Sequence, residues 1–292
     1  MGSESVEKKA LLVRSLLIAG GLMGFKLGVF AITNSMAILA SAADSLMDFL
    51  VSLANFLLIM PASKPADHNP PYGHGKIESL AGMVQSLILG GAAFSIGAMA
   101  VKRFLAPEEI YRPEVGILVT VVAIALNLWH SRNLRRSMIK TNSPMMAAEY
   151  LHYASDTLVY LGVLVSFSLF KITGKVYWDP LISLLIVGYL LKAVVSLFLD
   201  TLTELLDVQL PELTLKEIDV TIRAFHPAIV GYHDLRTRKV GTTKFIEFHV
   251  VLRGVETFRD VHKLTVGLME TFQKIYPGAI VTVHADPETA PH

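Results

Sequence analysis

Residues 36–60, MAILASAADSLMDFLVSLANFLLIM, form a stretch of apolar and small residues whose only charged side chains are Asp44 and Asp48. A helix that crosses a bilayer needs about 20 mostly apolar residues, and this stretch is long enough. An aspartate at the centre of such a helix costs roughly 2.5–3.5 kcal/mol on insertion scales. The stretch therefore predicts a transmembrane helix, and its two costly acids indicate a function that needs them.

The first two-thirds of the chain repeats this apolar character. We predict six transmembrane helices, at residues 10–32, 36–60, 78–101, 114–131, 145–170 and 178–203. The fourth is the weakest, because its uninterrupted apolar run ends at Trp129. Short cytoplasmic loops are rich in Lys and Arg, and the loop predicted after the fourth span holds four basic residues and no acid: Arg132, Arg135, Arg136 and Lys140. Because the number of spans is even, this bias predicts that both termini are cytoplasmic.

The C-terminal part has a different composition. Residues 207–292 hold 21 of the 51 charged side chains, although they are fewer than a third of the chain. Their pattern predicts a helix at 214–225, strands at 230–240 and 243–252, a helix at 257–275 and a strand at 279–284. This αββαβ order is typical of a small α+β domain with helices on one face of a sheet. We therefore predict a membrane domain at 1–206 and a soluble cytoplasmic domain at 207–292.

Composition also excludes several classes of function. The chain has no cysteine, which argues against a disulfide framework and against a Cys-based zinc or redox site. Its net charge of +1 gives no reason to expect nucleic-acid binding.

The fifth predicted span holds a second costly pair, His152 and Asp156. Both this pair and the Asp44–Asp48 pair are spaced i,i+4, which places each pair on one helical face. A divalent cation would neutralise the acids, and four ligands from two facing helices suit the tetrahedral shell typical of zinc. The alternative is that the acids pair with Ser, Asn or Lys26 and only fix helix packing.

Glu149 precedes His152 by about one turn, towards the cytoplasmic end of the same predicted helix. It is either a carboxylate that admits cations or relays protons, or simply a favourable acid near a helix N-terminus. His130, beside Trp129, is interpreted as an anchor at the membrane interface.

Histidines gather in two further places. The loop after the second span holds a weak candidate site formed by Asp67, His68 and His74, for which the alternative is a solvated turn rich in Pro and Gly. The tail contains six of the ten histidines. Imidazole suits zinc, and a carboxylate can bridge two ions, so we predict a second metal site from the tail residues on or ending neighbouring elements: His233, His249, His262, His284 and Asp286.

Four ordered stretches together resemble the cation diffusion facilitator family, near its bacterial zinc–proton antiporters. These stretches are SAADSLMD at 41–48, YGHGK at 72–76, LHYASD at 151–156 and HDLRTR at 233–238. The resemblance covers nearly the whole chain. It implies a homodimer of six-span protomers in the bacterial inner membrane, with a metallochaperone-like cytoplasmic domain that exports divalent metal against proton entry into the cell.

The same resemblance implies roles for individual residues. The transport site would be Asp44, Asp48, His152 and Asp156, and the tail cluster would be a binuclear site. The loop site fits only in part, because Pro70 stands where related proteins often hold a third ligand. Lys76 and Asp207 would form a charge contact between the two domains.

We therefore expect proton-coupled efflux of Zn²⁺, with Cd²⁺ also accepted, regulatory zinc in the tail and no organic cofactor. An exporter of Fe²⁺, Mn²⁺, Co²⁺ or Ni²⁺, and a membrane-anchored metal sensor or scaffold that moves no metal, are the alternatives. A membrane metalloenzyme is disfavoured, because no HExxH stretch is present.

Overall fold

The computed structural model describes residues 3–33, 36–62, 71–106, 114–255 and 257–288. The chain divides into two compact units, Met1–Leu202 and Thr203–His292.

Six long helices make up the first unit: α1 (Ser3–Thr33), α2 (Met36–Ala62), α3 (Lys76–Leu105), α4 (Glu114–Thr141), α5 (Pro144–Thr173) and α6 (Trp178–Leu205), the last of which continues into the second unit. All six predicted spans coincide with these helices. Within the described residues, five of them are long and apolar enough to cross a membrane, and α4 is not among those five. The basic segment predicted as a loop after the fourth span is helical, because α4 continues through Arg132, Arg135 and Arg136 to Thr141.

Local sequence explains where α5 begins and ends, which matters because this helix carries two predicted ligands. Ser143 is its N-cap, and the Ser143 hydroxyl accepts a hydrogen bond from the Met146 backbone N–H, while Pro144 occupies the first turn. Both features satisfy or remove N–H groups that a helix start leaves unpaired. At the other end Gly174 adopts a left-handed conformation with φ of 67°, the usual helix stop. The helix between these two caps runs without a break for 30 residues.

The helices pack in pairs. α1 lies along α2, α4 lies along α5, and α3 contacts both α2 and α5. A buried cluster that includes Leu12, Ile59, Leu134 and Met146 joins α1, α2, α4 and α5. The second and fifth spans, which hold the costly acids, therefore belong to one packed group of helices.

The second unit has the predicted αββαβ order. Its elements are α7 (Glu212–Phe225), β1 (Ile229–Val240), β2 (Thr243–Leu252), α8 (Phe258–Ile275) and β3 (Ile280–Pro287). The strands form one sheet in the order β1-β2-β3, with β1 antiparallel and β3 parallel to β2. Gly241, with φ of 60°, makes the tight β1–β2 turn that a residue with a side chain would strain.

One face of this sheet is covered by both helices. Alternate β2 residues, including Ile246, Phe248 and Val250, form a core with Ile222 of α7 and Phe272 of α8. Side chains alternate between the two faces of a strand. The residues between those core positions, such as His249, therefore lie on the face that α7 and α8 do not cover.

Candidate metal centres

A first cluster lies between α2 and α5, where the helical spacing predicts it. Nε2 of His152 is 3.6 Å from Oδ1 of Asp48 and 3.8 Å from Oδ2 of Asp156. The i,i+4 spacing puts His152 and Asp156 on one face of α5, and Asp48 approaches from α2. The fourth predicted ligand, Asp44, lies outside the residues whose side chains the structure describes.

These distances suit a metal ion better than direct contact between the side chains. A tetrahedral zinc ion with ligands at about 2.0–2.2 Å separates its ligand atoms by roughly 3.4 Å. Nε2 of His152 is buried and makes no hydrogen bond to the described residues, and an unsatisfied buried polar atom costs about 1–3 kcal/mol. A cation held between His152, Asp48 and Asp156 would satisfy this nitrogen and balance the two carboxylates.

Aromatic and polar neighbours fix the orientation of the His152 ring. The ring of Tyr153 meets it edge-on, with centroids 5.4 Å apart, and the Tyr153 hydroxyl donates to the Ser15 carbonyl at 2.8 Å. His130 is fully buried, its Nε2 lies 2.7 Å from the Ser15 hydroxyl, and its ring meets Tyr153 edge-on. The interpretation of His130 as an interfacial anchor is therefore wrong, because this residue joins α4 to α1 and α5 inside the protein.

Glu149 lies in a buried polar network on the same helix. Its side chain accepts hydrogen bonds from Asn55 at 2.6 Å, from Ser52 at 3.3 Å and from Gln85 at 3.4 Å. The carboxylate is completely buried. Neutral donors from α2 and α3 thus hold this acid one turn from His152. The arrangement is compatible with a role in proton relay or cation entry, and that role stays a prediction.

Lys26 of α1 lies beyond the cluster on the side opposite Glu149, as judged along α2 and α5. Its ammonium donates to the Ser45 hydroxyl at 2.7 Å and lies 5.8 Å from the centre of the Tyr160 ring. Ser45 precedes Asp48 by three residues, and Tyr160 follows Asp156 by four. The first cluster is therefore flanked by an acid on one side and a buried cation on the other.

A second cluster lies on the sheet face that the helices leave uncovered. His233 is paired with His249 and His249 with His284, so three imidazoles stand side by side across β1, β2 and β3. The ring centroids are 5.0 Å apart for the first pair and 4.6 Å for the second. Asp286 follows His284 by two residues and therefore shares this face. β3 extends to Pro287, so His284 and Asp286 lie within the strand and not, as predicted, at its end.

The Asp286 carboxylate connects the three imidazoles. Its Oδ2 is 3.0 Å from Nδ1 of His249 and 3.3 Å from Nε2 of His233, whereas its Oδ1 is 3.1 Å from Nε2 of His284. One oxygen thus faces two imidazoles, and the other oxygen faces the third. A carboxylate with this arrangement can bridge two ions.

Electrostatics keep Asp286 ionised. Burial raises the pKa of its carboxyl, but the hydrogen bond from His249 and the charges of His284, His249 and His233 outweigh this effect, so that the pKa lies below its usual value. An ionised carboxylate is the form that binds metal.

Not every predicted ligand joins these clusters. Within the described residues, two groups of three ligand-type side chains have their ligand atoms within 4.8 Å of one another, and neither group includes His262. His262 is exposed on α8, where its ring stacks on Phe258. Asp67 and His68 lie outside the described residues, and His74 has a buried Nδ1 without a hydrogen bond to any described residue. Asp207 pairs with Arg238 at 3.3 Å within the second unit, and its contact with Lys76 remains a prediction.

A half-buried cluster of two carboxylates and an imidazole between long apolar helices, together with a separate α+β domain, is typical of membrane proteins that handle metal ions. Comparison with known proteins identifies the family. The profile of the cation efflux transmembrane domain matches residues 12–206, and that of the cation efflux protein cytoplasmic domain matches residues 210–288. The chain belongs to the cation diffusion facilitator family: it is an integral membrane transporter for cation efflux and not an enzyme.

Curated relatives extend the match along the chain. The cation-efflux pump FieF of Pectobacterium carotovorum is 35% identical over 88% of this chain and 85% of its own length. FieF of Shewanella oneidensis is also 35% identical, over 91% of this chain and 89% of its own length. The metal-bound C-terminal domain of the CzcD transporter from Thermotoga maritima is 28% identical over 28% of this chain and 100% of that domain, with a TM-score of 0.26.

Several residues around the sites are not evident from the sequence. The donors to Glu149, which are Ser52, Asn55 and Gln85, look like ordinary small polar residues within apolar helices. The buried ion pair of Lys8 with Glu78, at 2.7 Å, joins α1 to α3 and was likewise not predicted. Polar residues inside a predicted span are the signal that could have found the donors to Glu149.

Proposed function

We propose that the chain exports Zn²⁺ from the cytoplasm, accepts Cd²⁺ as well, and moves protons in the opposite direction. The observation that carries this proposal is the spacing of Asp48, His152 and Asp156. Their ligand atoms lie at separations suited to a tetrahedral ion, inside helices that otherwise hold few charges. An imidazole among carboxylates favours zinc and cadmium, whereas an all-oxygen shell suits manganese better.

The chemistry of the ligands supplies the coupling. A carboxylate or imidazole must lose its proton before it binds metal, so metal and protons compete for the same atoms. In a state open to the cytoplasm, zinc displaces protons from Asp48, His152 and Asp156, and Asp44 completes the shell. When the helices rearrange and open the site to the outside, protons displace zinc. Glu149, one turn closer to the cytoplasm, supplies cations or protons to this shell.

The sheet cluster serves a different purpose in the proposal. Oδ2 of Asp286 with His233 and His249 would hold one zinc ion, and Oδ1 with His284 would hold a second ion whose shell is incomplete among the described residues. His262, exposed on α8, completes that shell from a second copy of the chain. The match to a dimer-forming cytoplasmic domain supports this arrangement. Cytosolic zinc would thus stabilise the homodimer and regulate transport.

In this proposal the protein lies in the bacterial inner membrane with both termini in the cytoplasm. Bacterial relatives support the choice of membrane, and the basic residues in the last turns of α4 support cytoplasmic termini. The sheet cluster then faces the compartment from which metal is removed, as a zinc sensor requires.

Zinc flux into proteoliposomes tests the proposal. The protein would be reconstituted with an imposed pH gradient, and luminal zinc would be followed by a fluorescent indicator for the wild type, Asp48→Ala and Asp156→Ala. Both variants are expected to lose flux at least about a hundredfold, because each removes a ligand from a three-residue cluster. Asp179→Ala, which removes an acid paired with Arg103 instead, is the matched control and keeps its flux. Full transport by both cluster variants would refute the site, and zinc binding without flux in the wild type would identify a sensor.

A further inference from the structure

Strand β1 has an irregularity directly beside His233. Residues 236–240 of β1 pair in regular order with β2, and Arg236 lies opposite Glu247. His233 lies opposite His249, so the register shifts by one residue between these two pairs. Two β1 residues, Asp234 and Leu235, therefore face the single β2 residue Phe248. This two-against-one arrangement is a β-bulge.

Asp234 supplies the unusual backbone of the bulge. Its φ is 52°, in the left-handed region that residues with side chains rarely adopt. Aspartate and asparagine tolerate this region better than most residues, whereas a β-branched residue there is a true outlier. The side chain of Asp234 is exposed, so it fills no space in the core.

The bulge determines the direction in which His233 points. If the register of residues 236–240 continued without it, Asp234 would lie opposite His249 and His233 opposite Val250. Val250 is 1% exposed and belongs to the core beneath α7 and α8. A slip of one residue turns a side chain to the other face of a sheet. Without the bulge, an imidazole would therefore point into the apolar core.

With the bulge, both neighbours of Asp234 have suitable surroundings. Leu235 packs against the core, and His233 turns to the uncovered face with Nε2 3.3 Å from Oδ2 of Asp286. The carboxylate of Asp234 lies 3.8 Å from Nδ1 of His233, which is beyond hydrogen-bond distance. The backbone of Asp234, and not its charge, is thus the feature that serves the cluster.

We propose that Asp234 is a positioning residue whose left-handed backbone creates the bulge that aims His233 at the sheet metal cluster. The proposal rests on the metal-binding function proposed above for that cluster. It explains how β1 and β2 present the imidazoles of His233 and His249 side by side, while Leu235 still packs against the core.

Substitutions that differ in backbone preference test the proposal. The full chain would be purified in detergent with Asp48→Ala as background, so that the sheet cluster dominates zinc binding. Zinc affinity would be measured by equilibrium dialysis, and the ligand set by the absorption spectrum of Co²⁺ bound in place of zinc. Asp234→Gly, which adopts positive φ freely, should keep the wild-type spectrum and an affinity within about threefold. Asp234→Val should lose at least about tenfold in affinity and change the spectrum, as expected when a ligand is misoriented.

Two controls separate the bulge from general effects on the strand. Arg236→Val places the same new side chain at a regular position of β1 and should bind zinc as the wild type does. Deletion of Asp234 gives an unbroken ladder with His233 still opposite His249 and Leu235 still opposite Phe248, so it should retain the cobalt spectrum. This deletion keeps the proposal testable even if Asp234→Val does not fold.

The outcomes distinguish this inference from the proposed function. Wild-type zinc affinity in Asp234→Val, an equal loss in Asp234→Gly, or loss of metal on deletion of Asp234 would each overturn the role of the bulge. His249→Ala serves as the reference for the cluster itself. If His249→Ala binds zinc as before, the proposed metal site is wrong; if it loses zinc while Asp234→Val does not, only the positioning role is wrong.

Discussion

The two clusters use similar ligands on very different supports. The membrane cluster joins Asp48 of α2 to His152 and Asp156 of α5, so its ligands belong to two separate helices. The sheet cluster places His233, His249 and His284 on three hydrogen-bonded strands in fixed register. Helices can slide or rotate relative to one another, whereas strands within a sheet hold their spacing.

This difference matches the two proposed uses of metal. A cargo ion must be released, so a site assembled between separate helices, with carboxylates that protons can neutralise, is suitable. A regulatory ion must be retained while its concentration is sensed, which favours a rigid site rich in imidazole. Substitutions in each cluster test whether the two clusters bind metal independently of one another.

The largest expected effect is that a substitution in one cluster removes zinc from that cluster and leaves the other cluster unchanged. Asp286→Ala should lower the zinc affinity of the sheet cluster at least about a hundredfold, because this carboxylate contacts all three imidazoles. It should leave zinc binding between α2 and α5 unchanged, and Asp48→Ala should do the reverse. Zinc stoichiometry by metal analysis of the detergent-purified protein checks both variants, and loss of zinc from both clusters in either variant would show that the clusters are coupled.

The second-largest expected effect is a loss of zinc affinity in the sheet cluster when the pH is lowered. An imidazole must lose its proton before it binds metal, whereas the lowered pKa of Asp286 keeps this carboxylate ionised as the pH falls. Competition by protons therefore falls on the histidines, and zinc affinity should drop at least about tenfold between pH 7.5 and pH 5.5. Titration of the Asp48→Ala protein with zinc at several pH values measures this. A constant affinity would contradict imidazole ligation.

Replacement of the membrane histidine should change selectivity. His152→Asp makes the shell all-oxygen, so the ratio of zinc to cadmium transport should change by about tenfold while transport itself persists. Competitive flux of the two ions into proteoliposomes measures the ratio. Asp179→Ala, which removes an acid paired with Arg103 and not a ligand, is the control. An unchanged ratio in His152→Asp would exclude His152 as the selecting residue.

The smallest expected effect concerns Glu149. Glu149→Gln keeps the size of the side chain but removes the charge that three neutral donors surround. Because ionisable residues within a membrane usually serve transport, zinc flux should fall by about three- to tenfold, with zinc affinity between α2 and α5 within about twofold. Glu7→Gln, at an exposed pair with Lys140, is the matched control. Wild-type flux in Glu149→Gln would make this glutamate purely structural.

Periodicity in the sequence was enough to predict much of this molecule. The i,i+4 spacing of His152 and Asp156 fixed their common face, because a helix has the same geometry wherever it packs. Alternation along β2 likewise predicts that His249 and Phe248 point to opposite faces. The order of elements in the second unit follows from the same patterns and from turn residues such as Gly241.

Features that depend on a partner element could not be predicted in this way. The bulge at Asp234 is visible only against the register of β2, so the direction of His233 does not follow from β1 alone. His130 looks interfacial beside Trp129, but its burial depends on Ser15 of α1 and Tyr153 of α5. The network around Glu149 similarly needs residues from two other helices. Each case requires knowledge of which elements meet.

Proton counterflow is the most direct test of the central claim. Proteoliposomes carrying indicators for both zinc and pH would be given a pH gradient, and the two signals recorded together for the wild type and for Asp156→Ala. The account predicts that zinc movement dissipates the pH gradient in the wild type and that both signals disappear in Asp156→Ala. Zinc movement that proceeds equally fast without a pH gradient, and leaves the pH signal unchanged, would contradict proton-coupled export through this cluster.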